Sequence, residues 1–175
     1  EKDAILLTNG KDGTIAVSGG TFSSAVKLEY CAPGFEPKRN DDDTFGVEIK
    51  ANMAAEVLDA QGKTVGAYDT LAAAITAAKN GETIKLLKNA DLPDAEYYIN
   101  KSVTINGPGK ISCTVKPGKT TRAFVVEENG SLTLDGVELD IRGTENPNPA
   151  EKNDGTGIDV QFGGKLVLQN RAVLK

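Results

Sequence analysis

Apolar and polar residues alternate along this chain in short runs that end on small polar residues or glycine. One template recurs: an apolar residue, any residue, a second apolar residue, a small polar residue, then usually glycine. It occurs as Ile15-Ala16-Val17-Ser18-Gly19, as Val103-Thr104-Ile105-Asn106-Gly107 and as Leu132-Thr133-Leu134-Asp135-Gly136. A looser copy is Leu166-Val167-Leu168-Gln169-Asn170. The match between the last two extends upstream, where FVVEENGSLTLDG (124–136) aligns with IDVQFGGKLVLQN (158–170) and places Gly130 on Gly164. Period-two alternation predicts strands with one buried face. Gly, Asn and Asp between the strands predict turns with positive φ. Successive copies begin at residues 103, 132 and 166, so they lie 29 and 34 residues apart. A repeat in register stacks like on like, as in a solenoid.

Other stretches break this rhythm. Asp69 to Gly81 (DTLAAAITAAKNG) predicts a helix, with Leu71, Ile75 and Ala78 on one face and Asp69 or Thr70 as N-cap. Lys79 then falls in the last turn, and Gly81 stands at the left-handed C-terminal position. Ala55–Asp59 and Thr64–Tyr68 flank a turn at Gln61-Gly62 and read as a hairpin, and Thr83–Leu87 reads as the strand after the helix. A second hairpin brackets the polar tip 39–43 between Phe35–Pro37 and Thr44–Ile49, after a short helical turn within 23–30. The chain is therefore expected to be mostly β, with right-handed parallel β-helix rungs and a hairpin-plus-helix capping module. An antiparallel β-sandwich of repeats is the alternative. Two segments are expected: 1–50, the terminal rung and closing hairpin of one repeat stack, and 51–175, a hairpin-helix cap followed by the rungs of another. The polar stretch Gly143 to Gly155 is expected to be a loop.

Composition narrows the function classes. Aromatics make up 5% of residues, tryptophan is absent and there are 19 glycines, which suits thin layers of Val, Ile, Leu and Ala. The net charge of −5 and pI near 4.9 provide no basic footprint, so nucleic acid is not an expected partner. No apolar run reaches membrane-spanning length, so no membrane insertion is expected of this piece, and with Glu1 at its start the chain is read as part of something longer. The absence of histidine removes histidine bases, histidine triads and most zinc sites. Cys31 and Cys113 fit no metal-ligand spacing and leave two readings, free thiols or one long-range disulfide.

Two groups of residues resemble a known family. Tyr68-Asp69-Thr70-Leu71-Ala72-Ala73-Ala74-Ile75, followed by Lys79-Asn80-Gly81-Glu82-Thr83-Ile84-Lys85-Leu86-Leu87, resembles the opening of pectin-lyase-like β-helix domains in bacterial surface proteins. Ser18-Gly19-Gly20-Thr21-Phe22-Ser23-Ser24, with Tyr30, Gly34-Phe35 and the strand start at Asp43-Thr44-Phe45, resembles their closing motif. The resemblance implies an extracellular location, on a bacterial surface or secreted. It also implies a non-catalytic structural or adhesive module that displays loops to a glycan or another surface protein. A carbohydrate-active β-helix is the alternative, because the superfamily holds lyases, hydrolases, adhesins and inert stalks.

For that alternative the candidate residues are Glu138, Asp140 and Arg142, which alternation sets in a row on the outer face of one strand. Outward carboxylates beside a basic residue resemble the calcium-assisted site of pectate lyases, with Glu138 and Asp140 as metal ligands and Arg142 near the sugar. Calcium is expected only in that case; otherwise no cofactor is. Against it stands the ordinary reading, that a wet strand face carries mixed charges. Asn153-Asp154-Gly155 and Ile158-Asp159 loosely echo a polygalacturonase run, without the histidine such enzymes need. Asp41-Asp42-Asp43 lacks the spacing of a calcium loop and reads as a solvated hairpin tip, and Gly19-Gly20 and Gly163-Gly164 read as turns rather than phosphate cradles. Tyr97, Tyr98 and Phe162 are the candidate sugar-stacking rings, and one of the two adjacent tyrosines must face outward. Finally, an unpaired last rung near Leu174 is an exposed edge, so a homo-oligomer through that end is expected.

Overall fold

The computed structural model describes residues 14–93, 96–115, 122–143 and 157–175. Strands are the main regular element. β1 (Phe35–Arg39) and β2 (Phe45–Ile49) form an antiparallel hairpin. β3 (Ala55–Leu58) and β4 (Thr64–Tyr68) form another, and α1 (Leu71–Ala77) follows. The remaining strands are β5 (Glu82–Leu86), β6 (Ala90–Leu92), β7 (Tyr97–Ile99), β8 (Ser102–Asn106) and β9 (Lys110–Val115), then β10 (Phe124–Val126), β11 (Ser131–Asp135) and β12 (Glu138–Gly143), and last β13 (Ile158–Val160), β14 (Lys165–Gln169) and β15 (Val173–Leu174).

From β7 onward the chain lays down strands in threes, and each three places one strand in each of three sheets. The sheet orders are β13-β10-β7, β14-β11-β8-β5-β3-β4 and β15-β12-β9-β6. Every pairing among β5 to β15 is parallel. An antiparallel meander would pair neighbours in sequence, and here sequence neighbours lie in different sheets. Within the six-stranded sheet β3 runs antiparallel to its partners β4 and β5, so the hairpin closes one end of that sheet.

The register follows the sequence repeat. Val103 pairs with Leu132 and Leu132 with Leu166; Ile105 pairs with Leu134 and Leu134 with Leu168; Phe124 pairs with Ile158. Like residues therefore stack, and the inward ones form a single core in which Ile84, Ile105, Leu132, Leu134 and Phe124 are fully buried. Each such side chain contributes about 1.5–3 kcal/mol by leaving water. In β13, β14 and β15 the same columns surface: Val160, Leu168 and Leu174 are 41%, 46% and 43% exposed.

The glycines at the aligned positions 130 and 164 are there for closeness rather than for φ. Neither has a positive φ. A Cβ on Gly130 would come within 1.9 Å of the Ile99 carbonyl oxygen, and one on Gly164 within 2.6 Å of that of Val126. Ile99 and Val126 are paired residues of adjacent strands, so the same crowding recurs from one strand triplet to the next. The left-handed residue sits one place earlier, at Asn129 (φ 65°) and Gly163 (φ 81°).

The helix begins as its sequence predicts, with Thr70 as N-cap and its Oγ1 accepting from the Ala73 amide at 3.1 Å. Leu71, Ala74, Ile75 and Ala78 enter the core. Its C-terminus differs from expectation. The helix stops at Ala77, because Ala78 already has extended backbone (φ −59°, ψ 138°), and Gly81 (φ 84°) belongs to the turn into β5. The cation at the helix end is not Lys79 but Lys101, whose Nζ donates to the carbonyls of Ile75 and Ala78.

The segment before residue 50 carries less of the repeat than its sequence suggests. Ile15–Gly19 makes only an isolated parallel bridge, Val17 to Cys31, and the helical turn is a three-residue 3-10 stretch, Leu28–Tyr30. Ala32 and Phe35 pack on Ala67 of β4 in a small second core, and the Ala67 amide donates to the Pro33 carbonyl at 2.7 Å. Cys31 and Cys113 are not joined by a disulfide.

Candidate functional site

Strand alternation turns Leu139 fully inward and sets Glu138, Asp140 and Arg142 along the other face of β12. Parallel pairing puts Lys110 of β9 opposite Glu138, and Ser112 opposite Asp140. The result is one connected ion network. The Asp140 carboxylate accepts from Arg142 Nε and Nη2 at 2.8 and 2.6 Å and from Lys110 Nζ at 2.5 Å. Glu138 pairs with Lys110 at 3.0 Å and with Lys175 at 3.1 Å. Asp140 is only 6% exposed beneath these cations, so the row is outward but its central acid is covered.

The electrostatics follow. Hydrogen bonds first from Arg142 and then from Lys110 hold the Asp140 carboxyl at a pKa of about 2. Glu138 is lowered by its hydrogen bonds from Lys110 and Lys175. Lys110 is raised by Asp140 and then Glu138, which keep its ammonium protonated. An acid held this low carries no proton to donate at neutral pH, and a protonated lysine accepts none. A calcium ion taking Glu138 and Asp140 as ligands would lie against Lys110, Arg142 and Lys175, so this donor set, already neutralised by cations, does not fit calcium. Among the described residues no three Asp, Glu, Cys or His side chains gather as a metal-ligand set. What the cluster can offer a partner is its rim, where the Arg142 side chain is 73% exposed.

A second network lies on the sheet of β7, β10 and β13. Arg122 donates from Nε to Glu96 at 2.8 Å and from Nη1 to Asp159 at 2.6 Å, and Tyr98 Oη donates to Glu96 at 2.7 Å. Arg122 lowers the Glu96 carboxyl, with Tyr98 adding to the effect, while Glu96 raises the Tyr98 phenol. The two adjacent tyrosines divide as alternation requires: Tyr97 packs on Phe124, ring centroids 6.2 Å apart, and Tyr98 is 51% exposed. Phe162, in the turn after β13, is almost fully exposed.

The remaining sequence candidates separate. Asp42 accepts from the Thr44 amide and hydroxyl, and Asp43 pairs with Arg39 at 2.6 Å, so the three aspartates serve the hairpin tip and do not converge. Gly163-Gly164 joins β13 to β14 as a turn. Asp159 is tied to Arg122, whereas Asn153-Asp154-Gly155 and the stretch 144–156 lie outside the described residues. Lys110, Arg122 and Glu96 were not singled out by sequence. Aligning KISCTV (110–115) under ELDIRG (138–143) in the register of the repeat would have placed Lys110 beside Glu138. No helix among the described residues is long and apolar enough to cross a membrane.

Comparison with known families, with curated proteins and with solved structures finds no significant match to this chain.

Proposed function

We propose that this chain is a display module: right-handed parallel β-helix rungs, capped at one end by a hairpin and helix, that carry outward side chains to a partner without catalysis. Three sheets fed in rotation by successive strand triplets, with every pairing among β5 to β15 parallel, support the β-helix reading. The division into a closing segment (1–50) and a capped rung stack (51–175) accompanies it. The observation that carries the non-catalytic reading is the pairing of Glu138, Asp140 and Arg142 with each other and with two lysines, because charges neutralised in this way hold strands and leave no free base. The partner is a glycan or a surface protein, met by exposed groups such as Tyr98, Phe162 and Arg142. The extracellular, bacterial-surface setting rests on the sequence resemblance alone. The test is product release from acidic and neutral polysaccharides, with calcium and with chelator. The expected result is no product under either condition. Unsaturated products that need calcium and vanish in Asp140→Ala would replace this reading with the lyase.

A further inference from the structure

A polar row crosses the outer face of the six-stranded sheet. Glu56 of β3 stands opposite Lys85 of β5, and Lys85 stands opposite Asn106 of β8. Their neighbours Val57, Ile84 and Ile105 are buried in the core, so the three polar side chains share the other face. The Glu56 carboxylate is 6% exposed and accepts from Lys85 Nζ and from Thr64 Oγ1, each at 2.8 Å. Asn106 Oδ1 is buried as well, yet it has no hydrogen-bond partner among the described residues. A buried acceptor without a donor costs stability and calls for a reason.

We infer that Lys85 and Asn106 join through an intramolecular amide bond, made by the folded chain itself with Glu56 as the proton carrier. Lys85 passes a proton to the Glu56 carboxylate, and the neutral amine attacks Asn106 Cγ. The Nζ–Cγ bond forms and the Cγ–Nδ2 bond breaks. A second proton moves from Nζ to the departing nitrogen, and Glu56 returns the first to it. The nitrogen leaves as ammonium, and the Glu56 carboxylate is restored. Nothing is oxidised or reduced, and the step needs no co-reactant.

The fold supplies the proximity. Neighbouring strands lie about 4.8 Å apart, well inside the reach of a lysine side chain. Gly107 holds Asn106 at this place: its φ is 112°, and a Cβ there would come within 2.5 Å of the Leu86 carbonyl oxygen, so the turn lies hard against β5. With no donor on its oxygen, the Asn106 amide can turn Cγ toward the amine. The Lys85 side chain is 47% exposed, which lets the amine swing from Glu56 to Asn106 and gives ammonium a way out. Fixed neighbours replace an encounter in solution, and one reaction per chain is enough. The product ties β5 to β8, where the antiparallel strands β3 and β4 hand over to the parallel ones. This inference is independent of the display reading.

The test is the intact mass of the denatured chain after the folded protein has been held at neutral pH. The chain should be lighter than its sequence by one ammonia. Trypsin should leave Lys85 uncut and release a branched peptide that joins it to Asn106. Lys85→Met and Asn106→Ala should each keep the full sequence mass. Glu56→Gln, with cooperative melting retained, should form the bond about 100-fold more slowly. A wild-type chain at full sequence mass overturns the inference. So does ammonia loss that persists in Lys85→Met, because cyclisation of Asn106 onto the Gly107 amide sheds the same mass. An undiminished rate in Glu56→Gln overturns the role given to Glu56.

Discussion

Asp140 shows how one residue can look like chemistry and serve as structure. Its carboxylate sits beneath Arg142 and Lys110, with a pKa of about 2 against an ordinary 3.8. A carboxyl whose folded pKa is lowered contributes stability above its unfolded pKa and loses it as pH falls through the folded value. Between about pH 4 and pH 2 the unfolded chain therefore binds more protons, and stability should fall with pH across that window. Glu138 and Glu96 are lowered in the same sense and add to the slope. Asp140→Asn should flatten part of the acid limb when melting temperature is followed against pH. Lys110 acts at the other extreme: its raised pKa gives stability present below 10.5 and lost as pH climbs above it. Neutral pH should hence be a plateau, and a marked melting transition shift between pH 6 and pH 8 would contradict this account of the network.

Helix α1 is the element whose ends were read with unequal success. Its start was legible because an N-cap is local: Thr70 precedes the apolar face and bonds three residues on. Its end was not, because the cation there comes from Lys101, which lies between β7 and β8. Lys101→Met should destabilise the protein by about 1 kcal/mol, read from denaturant unfolding, with hydrogen exchange rising most in the last helical turn. Thr70→Ala should cost a similar amount and expose the first turn instead. The same division of local from non-local runs through the strands. The pairing of Phe124 with Ile158 was legible, since alternation fixes the face and the shared glycine fixes the phase. The reason for that glycine was not, because the Ile99 carbonyl that crowds Gly130 belongs to β7, in the preceding strand triplet. The ion network escaped notice for the same reason, as Lys110 and Asp140 are brought together only by parallel stacking. Ile15–Gly19 matches the template yet makes a single bridge, so the motif alone does not make a strand.

At the scale of the whole molecule, position along the stack sets what a residue is worth. Leu134 and Leu168 occupy the same column, and one is fully buried while the other is 46% exposed. Leu134→Ala should cost about 3 kcal/mol, whereas Leu168→Ala should cost under about 1 kcal/mol in the single chain, both measured by denaturant unfolding at low protein concentration. Equal losses would mean that β14 is as well covered as β11. The unequal ends also make the molecule directional under mechanical load. Tension applied at Lys175 meets β15, then β14 and β13, each bound to one neighbour, so the strands peel away in turn like a zip. The tension would travel toward α1 and the β3–β4 hairpin, where antiparallel pairing and a packed helix replace the open edge. A pull at Lys175 thus spends itself in small successive releases before it reaches the β3–β4 hairpin and α1.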